Sequence, residues 1–293
     1  MIDIKYIIYS YIVGDSYGLS KLCNDKLDSI SLNYNDILNI EKGYFSNMTT
    51  FMLATMDSIS KNNLIVPIDI LNKMCTSLIL GKYTNDGKIN AINKECINIL
   101  NYYMNKNNLD YDYKVNDLSG YAISRILPIV IYDYYKGENN FDKLIQVVGI
   151  TTSNDVVLLG SYILYKYIIN LLNGMDKYKA LKIEIPSIFK NKSIKYYKDI
   201  LKGNIFFKTI EQDDNIVNII SLILYVILNS DNYIDVINMM NSLSGHTNIY
   251  SSFICLIASI VYGKNEILNK MIKDIKNKKD INKYIKDFEK VIK

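Results

Sequence analysis

Apolar residues recur at spacings of three and four along most of this chain. That spacing places them on one face of an α-helix, whereas the alternation of every second residue that marks a strand is scarce. The pattern therefore predicts an all-α protein. The first helix is predicted to end at Gly14, because glycine commonly terminates helices. The predicted helices span residues 2–13, 49–60, 68–80, 91–104, 121–135, 153–172, 215–228, 234–241, 248–262 and 266–274.

Two of the predicted helices, 215–228 and 248–262, are apolar on nearly every side. Such helices in a soluble protein are covered by other elements all round. We therefore predict a compact orthogonal helical bundle around these two buried central helices. Residues 177–204 are polar and lysine-rich, which predicts a peripheral segment of loops and short helices. Only three prolines occur and no linker or repeat divides the chain, so we expect a single domain over residues 1–293.

Composition and charge narrow the class of protein. The chain is 49% hydrophobic and carries a net charge of only +4, which excludes a disordered chain. Acidic and basic residues are interspersed at a pI of about 8.5, so no nucleic-acid partner is expected. The densest basic stretch, 264–293, also contains acidic residues. We interpret it as the solvated face of a last helix rather than a phosphate-binding strip.

The sequence also indicates where the protein resides. Its longest apolar runs, 216–228 and 252–262, are shorter than the roughly 20 residues that span a bilayer. The start of the chain lacks the basic-then-apolar order of a signal peptide. No membrane partner and a cytoplasmic location are therefore expected, in a bacterium or in the host cytoplasm if the source is viral or phage. Scattered cysteines without a Cys-x-x-Cys motif favour buried thiols in a reducing compartment: Cys23, Cys75, Cys96 and Cys255.

Four polar clusters interrupt the apolar pattern at the starts of predicted helices. The only histidine of the chain, His246, and its only arginine, Arg125, both lie in them. A residue type that a chain uses once is informative about where special chemistry is needed. The clusters are therefore the candidate functional segments: residues 14–18, 43–49, 119–128 and 244–248.

The clusters match known motifs in order. Gly14, Asp15 and Gly18 match a Gly-Asp-x-x-Gly turn, and residues 43–49 match Gly-x-x-Thr-Asp-Asp-Thr. Residues 121–128 match a Gly-x-Met-Arg-x-x-Pro-like element, and residues 244–249 match Gly-Gly-Asp-x-Asp-Thr. In this order the motifs resemble the ADP-ribosylglycohydrolase family, which includes dinitrogenase-reductase-activating glycohydrolase. The resemblance covers essentially the whole chain and implies an all-α ADP-ribosylglycohydrolase-like fold.

The resemblance also implies a chemistry whose metal ligands this chain lacks. Family enzymes hold two divalent ions, Mg²⁺ or Mn²⁺, between the two Asp-rich motifs, and these ions orient ADP-ribose and a water for glycosidic cleavage. Hard cations of this kind require charged oxygen ligands. We therefore predict no metal and no cofactor. At the corresponding positions the chain has Ser46, Asn47, Met48, Thr49, His246, Asn248 and Ile249.

Five residues of this set also have a structural interpretation. Asn47 and Asn248 are weak metal ligands or helix N-caps, and we favour caps because both begin apolar helices. His246 is a replacement ligand, a general base or a hydrogen-bonding residue, and its sequence neighbours favour the last. Met48 and Ile249 are expected to close the metal cavity by apolar packing.

The other retained motifs supply candidate ligand-binding residues. Arg125 either contacts a phosphate or pairs with a buried acid, and we favour the structural role because a guanidinium serves multi-donor bonding. Asp15 and Asp117 are the expected acidic partners. Tyr121 either stacks on an adenine or belongs to the core. By the resemblance, a loop near ADP-ribose corresponds to Ser119, Gly120 and Tyr121, and the candidate ligand-binding set is Asp15, Ser119, Gly120, Tyr121 and Arg125.

Three hypotheses for function remain open. The favoured one is a pseudoenzyme without the binuclear metal site, which binds ADP-ribose, a related nucleotide or a protein partner. The second is an active ADP-ribosyl hydrolase with a rearranged site. The third is a pure protein-interaction module on this fold, such as a viral or phage inhibitor. In the second hypothesis the acid–base groups would be Asp15, Asp57, Asp86 and His246.

Overall fold

The computed structural model describes residues 3–22, 31–106 and 116–293. Within these ranges the chain forms thirteen α-helices and short 3-10 turns, and no strand, which confirms the all-α prediction. The helices are α1 Ile4–Lys21, α2 Asn47–Asn62, α3 Pro67–Leu80, α4 Lys94–Lys106, α5 Ile126–Lys136, α6 Phe141–Val148, α7 Asp155–Leu172, α8 Asn191–Ile194, α9 Ile216–Leu228, α10 Tyr233–Asn241, α11 Thr247–Tyr262, α12 Glu266–Asp274 and α13 Lys278–Ile292.

Helices α9 and α11 are largely buried, as predicted, and α1 is a third buried helix. Every residue of α1 except Lys5 is buried. The prediction that this helix ends at Gly14 is wrong, because it continues through Gly14 and Gly18 to Lys21. Local propensity disfavours glycine inside a helix. Here the two glycines allow α1 to pack directly against the backbone of α11.

The contact between α1 and α11 is unusually close. A Cβ atom on Gly14 would lie 2.1 Å from the carbonyl oxygen of Ser251, and one on Gly18 would lie 2.4 Å from that of Thr247. The Thr247 hydroxyl donates to the carbonyl of Gly18 at 2.7 Å, so the helices also bond where they cross. Because glycines four apart lie on one helix face, the pair forms a flat strip that fits the facing backbone.

Residues 121–135 do not form the single helix that their pattern predicts. A 3-10 turn covers Gly120–Arg125, and α5 begins at Ile126. Pro128 is the third residue of α5, where its missing N–H would have had no partner within the helix. Helix α6, Phe141–Val148, was not predicted, since its eight residues are too few to show a clear period.

Asparagine begins many of these helices. The side chains of Asn154, Asn215, Asn232 and Asn265 each accept a hydrogen bond from the first turn of α7, α9, α10 and α12, respectively. An asparagine cap satisfies a backbone N–H that the helix itself leaves unpaired. Part of the asparagine excess therefore specifies helix starts.

Within the described part of the chain, α7 alone is long and apolar enough to cross a membrane. The sequence-based comparison of apolar runs overlooked it. Of this helix, 78% is buried inside the protein, as in the core helix of a soluble protein. The peripheral segment over 177–204 consists of short helical turns and loops, as predicted.

Three of the four cysteines lie inside the described ranges, and all three are buried free thiols. Burial raises the pKa of Cys75 to about 11 and that of Cys96 and Cys255 to about 12. Thiols with such pKa values are poor nucleophiles at neutral pH. The prediction of buried, unpaired thiols is confirmed for these three, and Cys23 lies outside the described residues.

Candidate functional site

Asp15 lies at the centre of the candidate site, where α1 meets the start of α2. Its carboxylate accepts hydrogen bonds from the backbone N–H groups of Ser46 and Thr49 at 3.0 and 2.9 Å. The Ser46 hydroxyl donates to its other oxygen at 2.5 Å. A carboxylate at this place satisfies unpaired N–H groups and complements the positive end of the helix dipole. Asp15 thus lies within a helix and not in the turn that the motif predicts, and it holds α2 in place.

The protonation of Asp15 reflects two opposed effects. Complete burial raises the pKa of its carboxyl to about 6, although the hydrogen bonds from Ser46 and Thr49 lower it. Because this pKa exceeds the ordinary value of 3.8, the folded protein binds the proton more tightly than the unfolded chain. The stability that protonated Asp15 contributes is fully present at acidic pH and is lost as pH rises through about 6.

We expect the ¹³C chemical shift of the Asp15 carboxyl to titrate with a midpoint at about 6. Ser46→Ala should move this midpoint upward, because it removes a hydrogen bond that stabilises the ionised form. Ser221→Ala is the matched control, since among the described residues its hydroxyl bonds only to the Val217 carbonyl of its own helix. A midpoint near 3.8, or an equal shift in both variants, would contradict the proposed environment of Asp15.

Ser46 connects Asp15 to α11. Its hydroxyl accepts the Met48 N–H at 3.1 Å and the side-chain amide of Asn248 at 3.0 Å, while its own proton goes to Asp15. When Asp15 is ionised, the Ser46 hydroxyl donates its only proton to that carboxylate. The Asn248 amide can then bond to the hydroxyl only as a donor, through its NH₂ group and not its oxygen. We call the three side chains Asp15, Ser46 and Asn248 the polar junction, because they link α1, α2 and α11.

The predicted capping roles of Asn47 and Asn248 are wrong. Ser46 is the N-cap of α2 and His246 occupies the N-cap position of α11, so both asparagines lie inside the first helical turn. Which residue is the N-cap depends on the backbone angles at which the chain enters the helix. If the helix starts one residue earlier or later than predicted, a different residue is the cap.

Several polar atoms near the polar junction are buried and have no hydrogen-bond partner among the described residues. They include both side-chain polar atoms of Asn47 and the oxygen of Asn248. The hydroxyls of Ser16 and Ser251, which the motif analysis did not single out, share this state. Each such atom costs about 1–3 kcal/mol. Ser251 lies three residues after Asn248 on one face of α11, a spacing that was readable in the sequence.

The donor set around the polar junction does not fit a pair of divalent ions. Met48 and Ile249 are fully buried apolar side chains in the core. Asp15 uses both carboxylate oxygens on α2, and Asn248 directs its NH₂ group toward Ser46. No cluster of three or more His, Cys, Asp or Glu side chains occurs in the ranges that the structure covers. Mg²⁺ requires anionic oxygen ligands to offset its dehydration, and neutral amides do not supply them.

Tyr121 and His246, two predicted site residues distant in sequence, lie together in the structure. The Tyr121 hydroxyl is 3.1 Å from Nδ1 of His246, and the two rings meet edge to face. Ser119 and Gly120 precede Tyr121 in the chain. The Gly120 N–H donates to the carbonyl of Asp214 at 2.7 Å, which connects this segment to the residues just before α9. His246 is therefore a hydrogen-bonding residue that joins the third motif to the last.

Arg125 bonds to backbone and not to an acid, so the expected pairing with Asp15 or Asp117 is wrong. Its guanidinium donates to the carbonyls of Val147 and Val148 at 3.1 and 3.0 Å and to the Thr151 hydroxyl at 2.8 Å. These carbonyls belong to the last turn of α6, where helical partners run out, and that of Val147 also accepts the Ile150 N–H at 3.3 Å. Burial lowers the pKa of Arg125 to about 10, so the group stays charged at neutral pH. The structural role that the sequence favoured is consistent with these contacts.

Arg125→Lys is expected to lower the free energy of unfolding by about 2 kcal/mol, because one ammonium cannot replace the three-contact guanidinium fork. Thr151→Ala removes only one of the three contacts and should cost about 1 kcal/mol. Urea unfolding at neutral pH measures both values. Equal stability of Arg125→Lys and the parent protein would show that the carbonyls of α6 do not require the fork.

The space beside Arg125 is small. A cavity of about 20 Å³ lies between Tyr121, Arg125, Cys96 and Thr151. That volume holds about one water molecule. The predicted ligand-binding residues Ser119, Tyr121 and Arg125 all line it, whereas Asp15 belongs to the polar junction. Binding sites for nucleotide-sized ligands occupy roughly 300–1,000 Å³.

The remaining acid–base candidates are committed elsewhere or exposed. Asp57 accepts a hydrogen bond from Tyr83 at 2.6 Å and lies within 3.7 Å of three lysine ammonium groups. Burial alone would raise its pKa, but Tyr83 and Lys73 hold it below the usual value. Asp86 is exposed and accepts a hydrogen bond from the Lys88 N–H. Neither carboxylate hydrogen-bonds to His246, whose partner is Tyr121.

Comparison with known proteins supports the fold. No protein-family model matches the chain, and no curated protein matches it. It is similar to a solved structure described as an ADP-ribosylglycohydrolase-related protein complex, with a TM-score of 0.77 and 11% sequence identity. The similarity covers 99% of this chain and 97% of that chain. The protein therefore has an ADP-ribosylglycohydrolase-like fold, as the order of the motifs predicted.

Proposed function

We propose that this protein is a pseudoenzyme with an ADP-ribosylglycohydrolase-like fold, which acts by binding a protein partner and not by cleaving ADP-ribose. The observation that carries the proposal is the hydrogen bond from the Asn248 amide to Ser46. In family enzymes, the resemblance implies, these two motifs face each other across metal ions. Here a direct hydrogen bond of 3.0 Å joins them.

The chemistry of the contact supports the loss of metal-dependent hydrolysis. An NH₂ group is a hydrogen-bond donor and cannot coordinate a cation. The Ser46 hydroxyl is engaged by three partners and has no free lone pair for a metal. The adjacent Met48 and Ile249 are apolar and fully buried. The water activation that metal ions supply in such hydrolysis therefore has no support from these residues.

The size of the inherited site favours a protein partner over ADP-ribose. The cavity that Ser119, Tyr121 and Arg125 line measures about 20 Å³. The Arg125 guanidinium makes three hydrogen bonds, to α6 and Thr151. Fewer of its N–H groups are therefore available to bind a phosphate. The hydroxyl of Tyr121 is engaged with His246. With so little space at this site, we infer that the protein binds its partner through its surface.

The test combines catalysis with ligand binding. The full chain should release no ADP-ribose from mono-ADP-ribosylated protein in Mg²⁺ or Mn²⁺ above the rate without protein. It should also give no heat with millimolar ADP-ribose in calorimetry and no thermal shift. Metal-dependent release would overturn the inactive assignment. Binding of ADP-ribose without release would replace the protein-partner role with nucleotide binding.

A further inference from the structure

The positive charge of this protein is concentrated at one end of the chain. Residues 264–293 contain ten lysines and five acidic residues, a net of +5. The whole chain carries +4, so the preceding 263 residues together carry a net charge of −1. The structure places the basic segment on α12 and α13. These two helices therefore differ in charge from the rest of the protein.

Helix α13 and the residue that follows it carry five lysines in a single line. Their spacings alternate between four and three residues, which keeps them on one helix face. At 1.5 Å per residue the line is about 21 Å long. All five side chains are exposed. We call this line the lysine ridge, formed by Lys279, Lys283, Lys286, Lys290 and Lys293.

The opposite face of α13 is committed to the protein core. Ile281, Ile285, Phe288 and Ile292 are buried, and the helix packs against α2. The ring of Tyr284 lies 5.2 Å from that of Tyr83, which fixes the helix on one flank. The apolar face therefore cannot leave the core to insert into a lipid bilayer. Any partner meets the lysine ridge alone.

Two of the five ridge lysines form ion pairs with neighbouring acids. Lys290 pairs with Asp287 at 2.9 Å and Lys293 with Glu289 at 3.1 Å. Among the residues that the structure covers, Lys279, Lys283 and Lys286 make no ion pair within 4.0 Å. Their ammonium groups are available to an external anion without breaking an internal contact.

The positions of nearby acids favour a flat partner. Because each residue turns a helix by about 100°, Asp280 and Asp287 lie roughly 80–100° to one side of the lysine ridge and Glu289 about 80° to the other. A partner that wraps around the helix, such as the walls of a nucleic-acid groove, would meet these carboxylates and be repelled. On α13 itself, a flat anionic surface would meet the lysine ridge before these carboxylates.

The chemistry of the ridge also disfavours nucleic acid. It contains no arginine, which reads guanine edges, and no aromatic residue on which bases could stack. Ammonium groups on flexible stems suit phosphate and carboxylate headgroups that carry no sequence information. We propose that the lysine ridge docks this protein, with α13 parallel to the surface, onto an anionic lipid membrane.

This docking is peripheral and purely electrostatic. It departs from our expectation of no membrane partner, which considered only spanning helices, and from our interpretation of residues 264–293 as only a solvated face. Each lysine near an anionic leaflet contributes about fivefold in affinity. Salt should reverse the binding, because raising ionic strength from about 0.15 M to about 1 M shortens the screening length from about 8 Å to about 3 Å.

The experiment is co-sedimentation of the full chain with phosphatidylcholine vesicles that contain or lack phosphatidylserine. We expect binding only to the phosphatidylserine vesicles and release by salt. The triple variant Lys279→Gln, Lys283→Gln, Lys286→Gln should bind about 100-fold more weakly. The matched control removes the same charge from three exposed lysines elsewhere, Lys192, Lys195 and Lys198. Thermal unfolding checks that both variants remain folded.

Distinct results would overturn the proposal. Equal binding by the ridge variant and the control variant would show that net charge, and not the ridge, decides binding. Equal binding to vesicles without phosphatidylserine would exclude an electrostatic mechanism. Tighter binding to duplex DNA than to the anionic vesicles would assign the ridge to nucleic acid.

Discussion

Gly14→Ala is expected to lower the free energy of unfolding by about 3 kcal/mol or more, because it inserts a methyl group into a backbone contact. The new Cβ would lie 2.1 Å from the Ser251 carbonyl oxygen and 2.8 Å from the Cα of Ser252. Both atoms belong to the backbone of α11, so no side-chain rotation relieves the overlap. In an ordinary helix the same change would stabilise the protein by about 1 kcal/mol. The predicted effect thus has the opposite sign from helix propensity.

Gly137→Ala provides the control for this prediction. A Cβ at Gly137 meets no atom within 4 Å, but its φ of +65° favours glycine. That substitution should cost only about 1 kcal/mol. Chemical unfolding of both variants, followed by circular dichroism, measures the difference. A Gly14→Ala protein as stable as the parent would mean that α1 and α11 are separated by more than the structure indicates.

Gly14 also shows where sequence-based prediction reached its limit. The three-to-four-residue spacing correctly predicted helices such as α3, which ends at a left-handed Gly81. The same rule failed at α1, because the value of Gly14 lies in its contact with Ser251, which is 237 positions away in the chain. Periodicity reports which face is buried. It does not report how closely the facing backbone approaches.

The sequence predicted which residues form the candidate site better than it predicted what each of them does there. The motifs correctly assigned Ser46 and Asn248, which hydrogen-bond to each other, to one candidate site. They did the same for Tyr121 and His246, which are also in contact. The role of Asp15 as an anchor for α2 depends on how two helices meet, and no local pattern encodes that. For Arg125 the sequence indicated multi-donor bonding, but the partners are backbone carbonyls, which no side-chain motif records.

The polar junction explains how the fold tolerates a site without carboxylate pairs. Its hydrogen bonds connect α1, α2 and α11 at the place where the resemblance implies metal ions. Asparagine keeps nearly the size of aspartate and removes its charge, so the exchange avoids burying unneutralised carboxylates. The cost remains visible in the unpartnered polar atoms of Asn47 and Asn248. This interpretation makes a direct prediction for the reverse exchange.

The double variant Asn47→Asp/Asn248→Asp is expected to lose about 4 kcal/mol of unfolding free energy at pH 8 in metal-free buffer, because it buries two more carboxylates near Asp15. Asn248→Asp also removes the NH₂ donor to Ser46. Burial and the like charge of Asp15 should raise the pKa of both new carboxyls above their unfolded values. The loss should therefore be small at acidic pH and grow as pH rises, the sign expected for carboxyls that fold protonated.

The matched control makes the same chemical change at two exposed helical asparagines, Asn72→Asp and Asn101→Asp. It should shift stability by no more than about 0.5 kcal/mol at either pH. Thermal and urea unfolding at pH 5 and pH 8 measure all three proteins. We expect millimolar Mg²⁺ to leave the parent protein unchanged, since Asp15, the one carboxylate of the polar junction, already accepts hydrogen bonds from the start of α2 on both oxygens. A parent protein that Mg²⁺ stabilises, or a double variant as stable as the control, would show that the polar junction still accepts a cation, and metal-dependent chemistry would then return as the leading hypothesis.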